Sequence, residues 1–169
     1  MSAKNKKLGE NSTPIQLKKK YSIAIVVSEY YFDEVTRSLS EAAISTLIEN
    51  SIPEKNISLY FVPGAFELSS GAQMVYEALK PDAILALGCV IKGSTDHDKY
   101  INHSVAQGLT NLSIMYKIPF VFGLLTPNTM KQAIDRSGGK HGNKGIEVAL
   151  AAVRMLQLKE QLETNKKAK

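Results

Sequence analysis

Cysteine occurs once in the 169 residues, as Cys89, which excludes an intramolecular disulfide and a zinc site built from several thiolates. No apolar run approaches the roughly 18 residues of a membrane span. Met1–Lys20 holds lysines, Asn, Ser and Pro but no apolar stretch of the secretory kind, and none of the arginine a transit peptide would carry. Cytoplasm is the expected compartment. The body of the chain also lacks a cationic excess. The whole carries a formal +5 and a pI near 9.2, which by itself invites a nucleic-acid reading. Met1–Lys20 holds six lysines against one glutamate, and residues 159–169 hold four against two. The remaining 21–158 has 11 basic and 13 acidic residues, a net −2. The basicity belongs to the ends, so neither nucleic acid nor membrane is an expected partner.

What is present is a domain-sized chain with 44% hydrophobic and 22% charged residues, enough for one complete core. Apolar β-rich runs alternate with helical patterns. Strands are predicted at Ser22–Ser28 (SIAIVVS), Ile57–Val62 (ISLYFV), Ala83–Val90 (AILALGCV) and Phe120–Leu125 (FVFGLL). Helices are predicted over Glu34–Asn50, with Val35, Leu39, Ala43, Leu47 and Ile48 on one stripe, and over Phe66–Leu79, ended by Lys80-Pro81-Asp82. A long one follows at Asp98–Lys117, with Ile101, Val105, Leu109 and Leu112 inward. A short one at Asn128–Arg136 has Asn128 or Thr126 as candidate cap. The last helix runs from Ile146 to about Leu162. Four buried strands separated by helices imply a parallel sheet covered on both faces, a three-layer α/β/α sandwich of flavodoxin-like type. In such sheets ligands bind beyond the carboxyl ends of the strands. That rule points to Glu29–Phe32, Pro63–Glu67, Cys89–His97 and Thr126 onward, where most of the unusual chemistry of the chain is found.

In Val62-Pro63-Gly64-Ala65-Phe66-Glu67 a turn at a strand end delivers an aromatic and a carboxylate to a helix start. Glu67 reads either as an acid placed by the helix dipole or as an acceptor for a polyhydroxylated ligand, with Ala65 and Phe66 lining the groove. In Gly88–His97 a buried strand runs into Gly93-Ser94-Thr95 and a helix, so backbone N–H groups can approach an anion. His97 stands beside that position, and an imidazole relays protons near neutrality. The plainer reading is a surface histidine at a helix start, with Asp96 and Asp98 as solvated charges. His97 and His103 are six apart and point to different helix faces, and His141 is distant, so no metal site is expected. Asp135–Gly145 is a cationic glycine-rich segment. It is either a solvated connection or a phosphate site in which Arg136 supplies a planar fork and Lys140 and Lys144 add field. The Walker order of lysine then Ser/Thr is absent, which argues against nucleotide hydrolysis.

Taken together, VPGAFEL, ALGCVIKGSTDHDKYINHSVAQGL, IPFVFGLLTPNTMKQAIDRSGGKHGNKG and the alanine-rich last helix resemble the 6,7-dimethyl-8-ribityllumazine synthase family. The resemblance covers about Tyr21 to Leu158. It implies condensation of 5-amino-6-(D-ribitylamino)uracil with 3,4-dihydroxy-2-butanone 4-phosphate, releasing lumazine, phosphate and water, with no metal or organic cofactor. It implies Ala65, Phe66 and Glu67 on the ribityl chain, and Cys89, Val90 and Ile91 on the pyrimidine, largely through backbone. Ser94, Thr95 and Arg136 would take the phosphate, and His97 would shuttle protons. Phe122 would reach the pyrimidine from a neighbouring subunit. An aromatic followed by Asn is usual after the first strand. Here Glu29-Tyr30-Tyr31-Phe32-Asp33 has no Asn, and the stacking ring is Tyr30 counted from the strand or Tyr31 counted back from Ala65; Tyr31 is taken. Lys92 replaces a common Arg, losing a fork and keeping a charge.

The family also implies pentamers, many of them in shells of twelve. The Gly139–Asn143 loop resembles that of shell formers, so a 60-subunit capsid is expected, with a free pentamer as alternative and riboflavin synthase as a possible cargo. Residues before Tyr21, Ile15-Gln16-Leu17 above all, are expected to lend an edge strand to a neighbour. The expected organisation is a basic, partly disordered tail over 1–20, the catalytic domain over 21–158 and a charged tail over 159–169. Two other classes share the fold. A response-regulator module would need clustered acids after the first strand and an Asp ending the third, whereas Glu29 stands alone and Gly88-Cys89 fills the second place. A shell protein without catalysis would not need Glu67, His97 and Arg136.

Overall fold

The computed structural model describes residues 13–167. Four parallel strands, β1 (Ile23–Ser28), β2 (Ile57–Val62), β3 (Ala83–Cys89) and β4 (Phe120–Leu125), form one sheet in the order β2-β1-β3-β4. β1 pairs in register with β2 and with β3, and β3 with β4. The three-layer α/β architecture is the expected one. α1 (Arg37–Glu49) and α5 (Lys144–Lys167) cover one face; α2 (Leu68–Leu79) and α3 (His97–Tyr116) cover the other.

β1 and β3 lie in the middle and every residue in them is buried, which is why their sequences are unbroken apolar runs. β2 and β4 are edges. Leu59, Phe61 and Phe122 are exposed there, so the expectation of four buried strands holds only for the central two. Ile25, Leu39, Leu47, Leu85 and Leu156 fill the core on the α1/α5 side, and Val26, Leu68, Ile84 and Leu109 the other. Ile48 leaves the predicted stripe: it is exposed while Ala43 and Leu47 are buried, because the 100° step carries it past the seam with α5. No helix among the described residues is long and apolar enough to cross a membrane.

Local chemistry departs from expectation at two points. Thr129, rather than Asn128 or Thr126, caps α4 (Met130–Arg136), its hydroxyl accepting the Gln132 N–H at 3.3 Å. α5 continues past residue 158 to Lys167, so the charged end of the chain is helical that far. Among the described residues before Tyr21, 13–20 form no strand within the chain. Ile15 and Leu17 pack against the chain's own core, Asn50 Oδ1 accepts the Ile15 N–H at 2.9 Å, and the buried Glu160 carboxylate accepts the N–H groups of Lys18 and Lys19. Asn50 and Glu160 are buried polar groups that need partners, and the arm supplies them. These contacts lie within one chain, and the expectation that Ile15-Gln16-Leu17 lends an edge strand to another copy stays an expectation; residues 1–12 lie outside those described.

Candidate active site

The chain passes from β2 across β1 to β3, and at that reversal the strand ends splay and leave a cavity of about 390 Å³. Tyr30, Tyr31, Gly64, Ala65, Phe66, Glu67, Cys89, Val90, Ile91, His97 and Ile101 line it. Nine of the predicted site residues or their close alternatives thus meet in one place, from three strand ends and the start of α3. The β2 end enters a short turn, Ala65–Glu67, before α2. A Cβ on Gly64 would stand 3.1 Å from Glu67 Oε2, so glycine leaves the carboxylate its room. Glu67 is half-buried and its side chain caps nothing in α2, which leaves its oxygens for a ligand rather than for the helix.

Tyr30 and Tyr31 both face the cavity, in an edge-to-face pair with centroids 4.8 Å apart. Tyr31 is the more buried of the two and sits at φ 60°, a left-handed conformation that costs a non-glycine residue energy. Its carbonyl repays part of this by accepting the N–H groups of Val35 and Thr36 at 2.9 and 3.1 Å. Burial pushes the Tyr31 phenol up, with the neighbouring Tyr30 adding to the rise.

Cys89 is buried at the end of β3, and burial pushes its thiol up to about 12. At neutral pH it is a small apolar wall, not a nucleophile. Beyond it the Val90 N–H donates to the Leu125 carbonyl at 2.9 Å and the Lys92 N–H to that of Pro127 at 3.0 Å, so 90–92 is a fixed extended rail. Ser94 and Thr95 follow on exposed bends just before α3, and His97 is the first, exposed residue of that helix. Asp96 is engaged by Lys99 at 2.7 Å, which ties up one of the two acids beside the histidine.

Arg136 and Phe122 are elsewhere. They line a second cavity of about 500 Å³ with Leu125, Thr126, Gln132, His141 and Lys144, and no described residue lines both cavities. The glycine-rich segment that holds Arg136 is no loose connection. It is an antiparallel hairpin of β5 (Ser137–Gly139) and β6 (Gly142–Asn143), turned at Lys140-His141, with Gly142 after the turn at φ 80°. Asn143 pins it: Nδ2 donates to the Ser38 carbonyl at 3.1 Å, and Oδ1 accepts the Gly145 N–H at 2.8 Å. A Cβ on Gly145 would lie 2.0 Å from the Leu39 carbonyl oxygen, so only glycine lets α5 start this close to α1. Arg136 Nη1 donates to the His141 carbonyl at 2.7 Å and Nη2 to Glu147 Oε1 at 2.7 Å; Lys144 Nζ bridges to Glu147 Oε2 at 3.1 Å. Burial raises the Glu147 carboxyl, but the hydrogen bonds and charges of Lys144 and Arg136 together outweigh it and hold the group low. Lys140 points outward and is exposed.

Ile101 and Gln132 line these cavities and Glu147 bonds two cations that line the second; none of the three is evident as a site residue from the sequence. Glu147 alone had a signal, standing one helical turn after Lys144. The geometry is that of an extended rail with an exposed imidazole at one cavity and a cluster of two cations and a carboxylate at another. Residues 20–160 match the family model for 6,7-dimethyl-8-ribityllumazine synthase. The chain belongs to that family. It is 43% identical over 162 residues to the 6,7-dimethyl-8-ribityllumazine synthase of Flavobacterium psychrophilum, covering 95% of this chain and 85% of the relative. To the synthase of Parabacteroides distasonis it is 46% identical over 135 residues, 80% of this chain and 84% of the relative. The Cytophaga hutchinsonii synthase is 42% identical over 156 residues, 92% and 98% of the two chains. Membership of the lumazine synthase family makes the chain an enzyme, a transferase.

Proposed function

We propose that this lumazine synthase family member condenses 5-amino-6-(D-ribitylamino)uracil with 3,4-dihydroxy-2-butanone 4-phosphate at a site completed by two copies of the chain. One copy supplies the strand-end cavity. Glu67 accepts hydrogen bonds from the hydroxyls of the ribityl chain beside Ala65 and Phe66, the Cys89–Ile91 rail meets the pyrimidine, and Tyr31 stacks on its ring. The neighbour supplies Phe122 and, from the same cavity, Arg136, which meets the phosphate together with Ser94 and Thr95 of the first copy. His97 moves the protons that imine formation, phosphate loss and ring closure require. Holding two reactants together provides most of the acceleration, and proton transfer by His97 adds roughly 10²-fold.

The observation that carries this reading is the division itself. The proton-relay residue and the phosphate fork of one chain occupy cavities with no residue in common. Co-expression of His97→Ala with Arg136→Ala tests it. Each variant alone makes little lumazine. In a one-to-one mixed assembly about a quarter of the sites combine an intact half from each variant and regain activity. A mixture no more active than its parts sinks the shared site; absence of lumazine from the unaltered protein sinks the activity.

The assembly is proposed to be a 60-subunit shell of twelve pentamers in the cytoplasm, able to enclose riboflavin synthase. The compact hairpin at Gly139–Asn143, without insertion, supports close packing there. Light scattering separates a particle of about 1.1 MDa from a pentamer of about 90 kDa.

A further inference from the structure

We infer that Glu147 is a positioning residue for phosphate: it holds Arg136 and Lys144 on one wall of their cavity before the anion arrives. The inference rests on the reading of Arg136 as the phosphate ligand. Three observations carry it. Glu147 uses its two oxygens on two different cations, Nη2 of Arg136 at 2.7 Å and Nζ of Lys144 at 3.1 Å. All three side chains are about 70% covered, at 31%, 29% and 26% exposure for Arg136, Lys144 and Glu147, so this is no loose surface pair. Arg136 and Lys144 both line the cavity, one ending α4 and the other opening α5 across the hairpin.

The physical reason is repulsion and entropy. Two cations on either side of a short hairpin repel, and each long side chain has rotamer freedom to lose. Without a carboxylate between them they would swing apart into solvent. With it, both heads face one way. The guanidinium has five N–H donors. It gives one from Nη1 to the His141 carbonyl and one from Nη2 to Glu147, so its plane is fixed and donors remain for an anion. The ammonium likewise keeps donors after its bond to Glu147. The three-residue cluster retains a net positive charge, Glu147 cancelling one of two cations, while Asp135 also lines the cavity and opposes it in part. An acid in the first turn of α5 would also suit the helix dipole, but a dipole partner needs no contact with Arg136, and that difference is testable.

The test is calorimetric binding of inorganic phosphate to the full oligomer, with wild type, Glu147→Ala, Glu147→Gln, Arg136→Ala and Arg136→Ala/Glu147→Ala. Thermal melts and light scattering confirm assembly, and Glu147→Gln, which keeps the side chain's size, serves if Glu147→Ala does not assemble. Arg136→Ala weakens phosphate binding by about 30-fold or more. Glu147→Ala weakens it by about 5- to 10-fold in the wild-type background and less than about 2-fold when Arg136 is already absent. In turnover, Glu147→Ala raises KM for the phosphate substrate by a similar factor and leaves kcat and the KM of the pyrimidine substrate unchanged; Glu147→Asp recovers part of the loss. Equal losses in both backgrounds, no loss, or tighter phosphate binding would each overturn the positioning role, the last by showing the carboxylate to be a competitor. Unchanged binding in Arg136→Ala would instead remove the phosphate reading of Arg136, and is distinguishable from these.

Discussion

The cavity at the strand ends and the cavity behind the hairpin are made from opposite materials. The first is held by sheet backbone: Cys89 is buried, Val90 and Lys92 are tied to the end of β4, and the free polar groups are Glu67 and His97 at its rim. The second is held by side chains, with Arg136, Lys144 and Glu147 locked together and Asn143 anchoring the hairpin to α1. A backbone rail suits a flat ring recognised along its edge, because its spacing is set by the strand. A cluster of partly covered ions suits a phosphate, because charge in a low-dielectric recess is worth more than charge in water. The difference shows why the proposed site needs both halves. In the proposed function one recognises shape and moves protons, and the other holds charge.

The sharpest way to test that contrast is the thiol. If the strand-end cavity is an inert wall at Cys89, the pKa near 12 leaves only about 10⁻⁴ of it ionised at pH 8. Iodoacetamide should then modify the folded protein about 10³-fold more slowly than the denatured chain, and the rate should still be climbing with pH at 10. A rate plateau near pH 8.5 would contradict the buried, unactivated thiol.

Next in size is the hairpin's seat. Gly145→Ala places a methyl group on the Leu39 carbonyl and should cost about 3 kcal/mol or more, read from chemical denaturation. Phosphate binding should fall with it. An unaffected midpoint would mean that α1 and α5 can part freely.

The proposed catalytic pair, His97 and Arg136, separates the two cavities by kinetics. His97→Ala should lower kcat roughly 10²-fold with little change in KM for the phosphate substrate. Arg136→Ala should raise that KM by about 10- to 100-fold. Similar effects of both on KM would erase the division of labour.

Much of this molecule was legible from its residues. The unbroken apolar runs of β1 and β3 announced central strands, and the segments after the four strands held Glu67, Cys89, His97 and Arg136. The cap of α4 was misread because Thr126, Asn128 and Thr129 are chemically similar, and only backbone geometry decides that Thr129 is extended before the helix. Ile48 was misread because a helical stripe in sequence is wider than the seam that buries it. The hairpin was read as a loop or a site, since two short strands of Gly, Ser and Asn carry no hydrophobic alternation; their order comes from long-range bonds to Ser38 and a close approach to Leu39.

By itself the sequence determined the fold class, the site-bearing segments and the family they resemble, because all three depend on local pattern: periodicity, turn residues and motifs with fixed spacing. Only the tertiary structure decided that Phe122 and Arg136 sit apart from His97, that Glu147 joins two cations, and that residues 13–20 lie on their own chain. Those facts depend on strand order, on which strands are edges, and on which buried polar groups find partners far away along the chain, and none of these is carried by neighbouring residues.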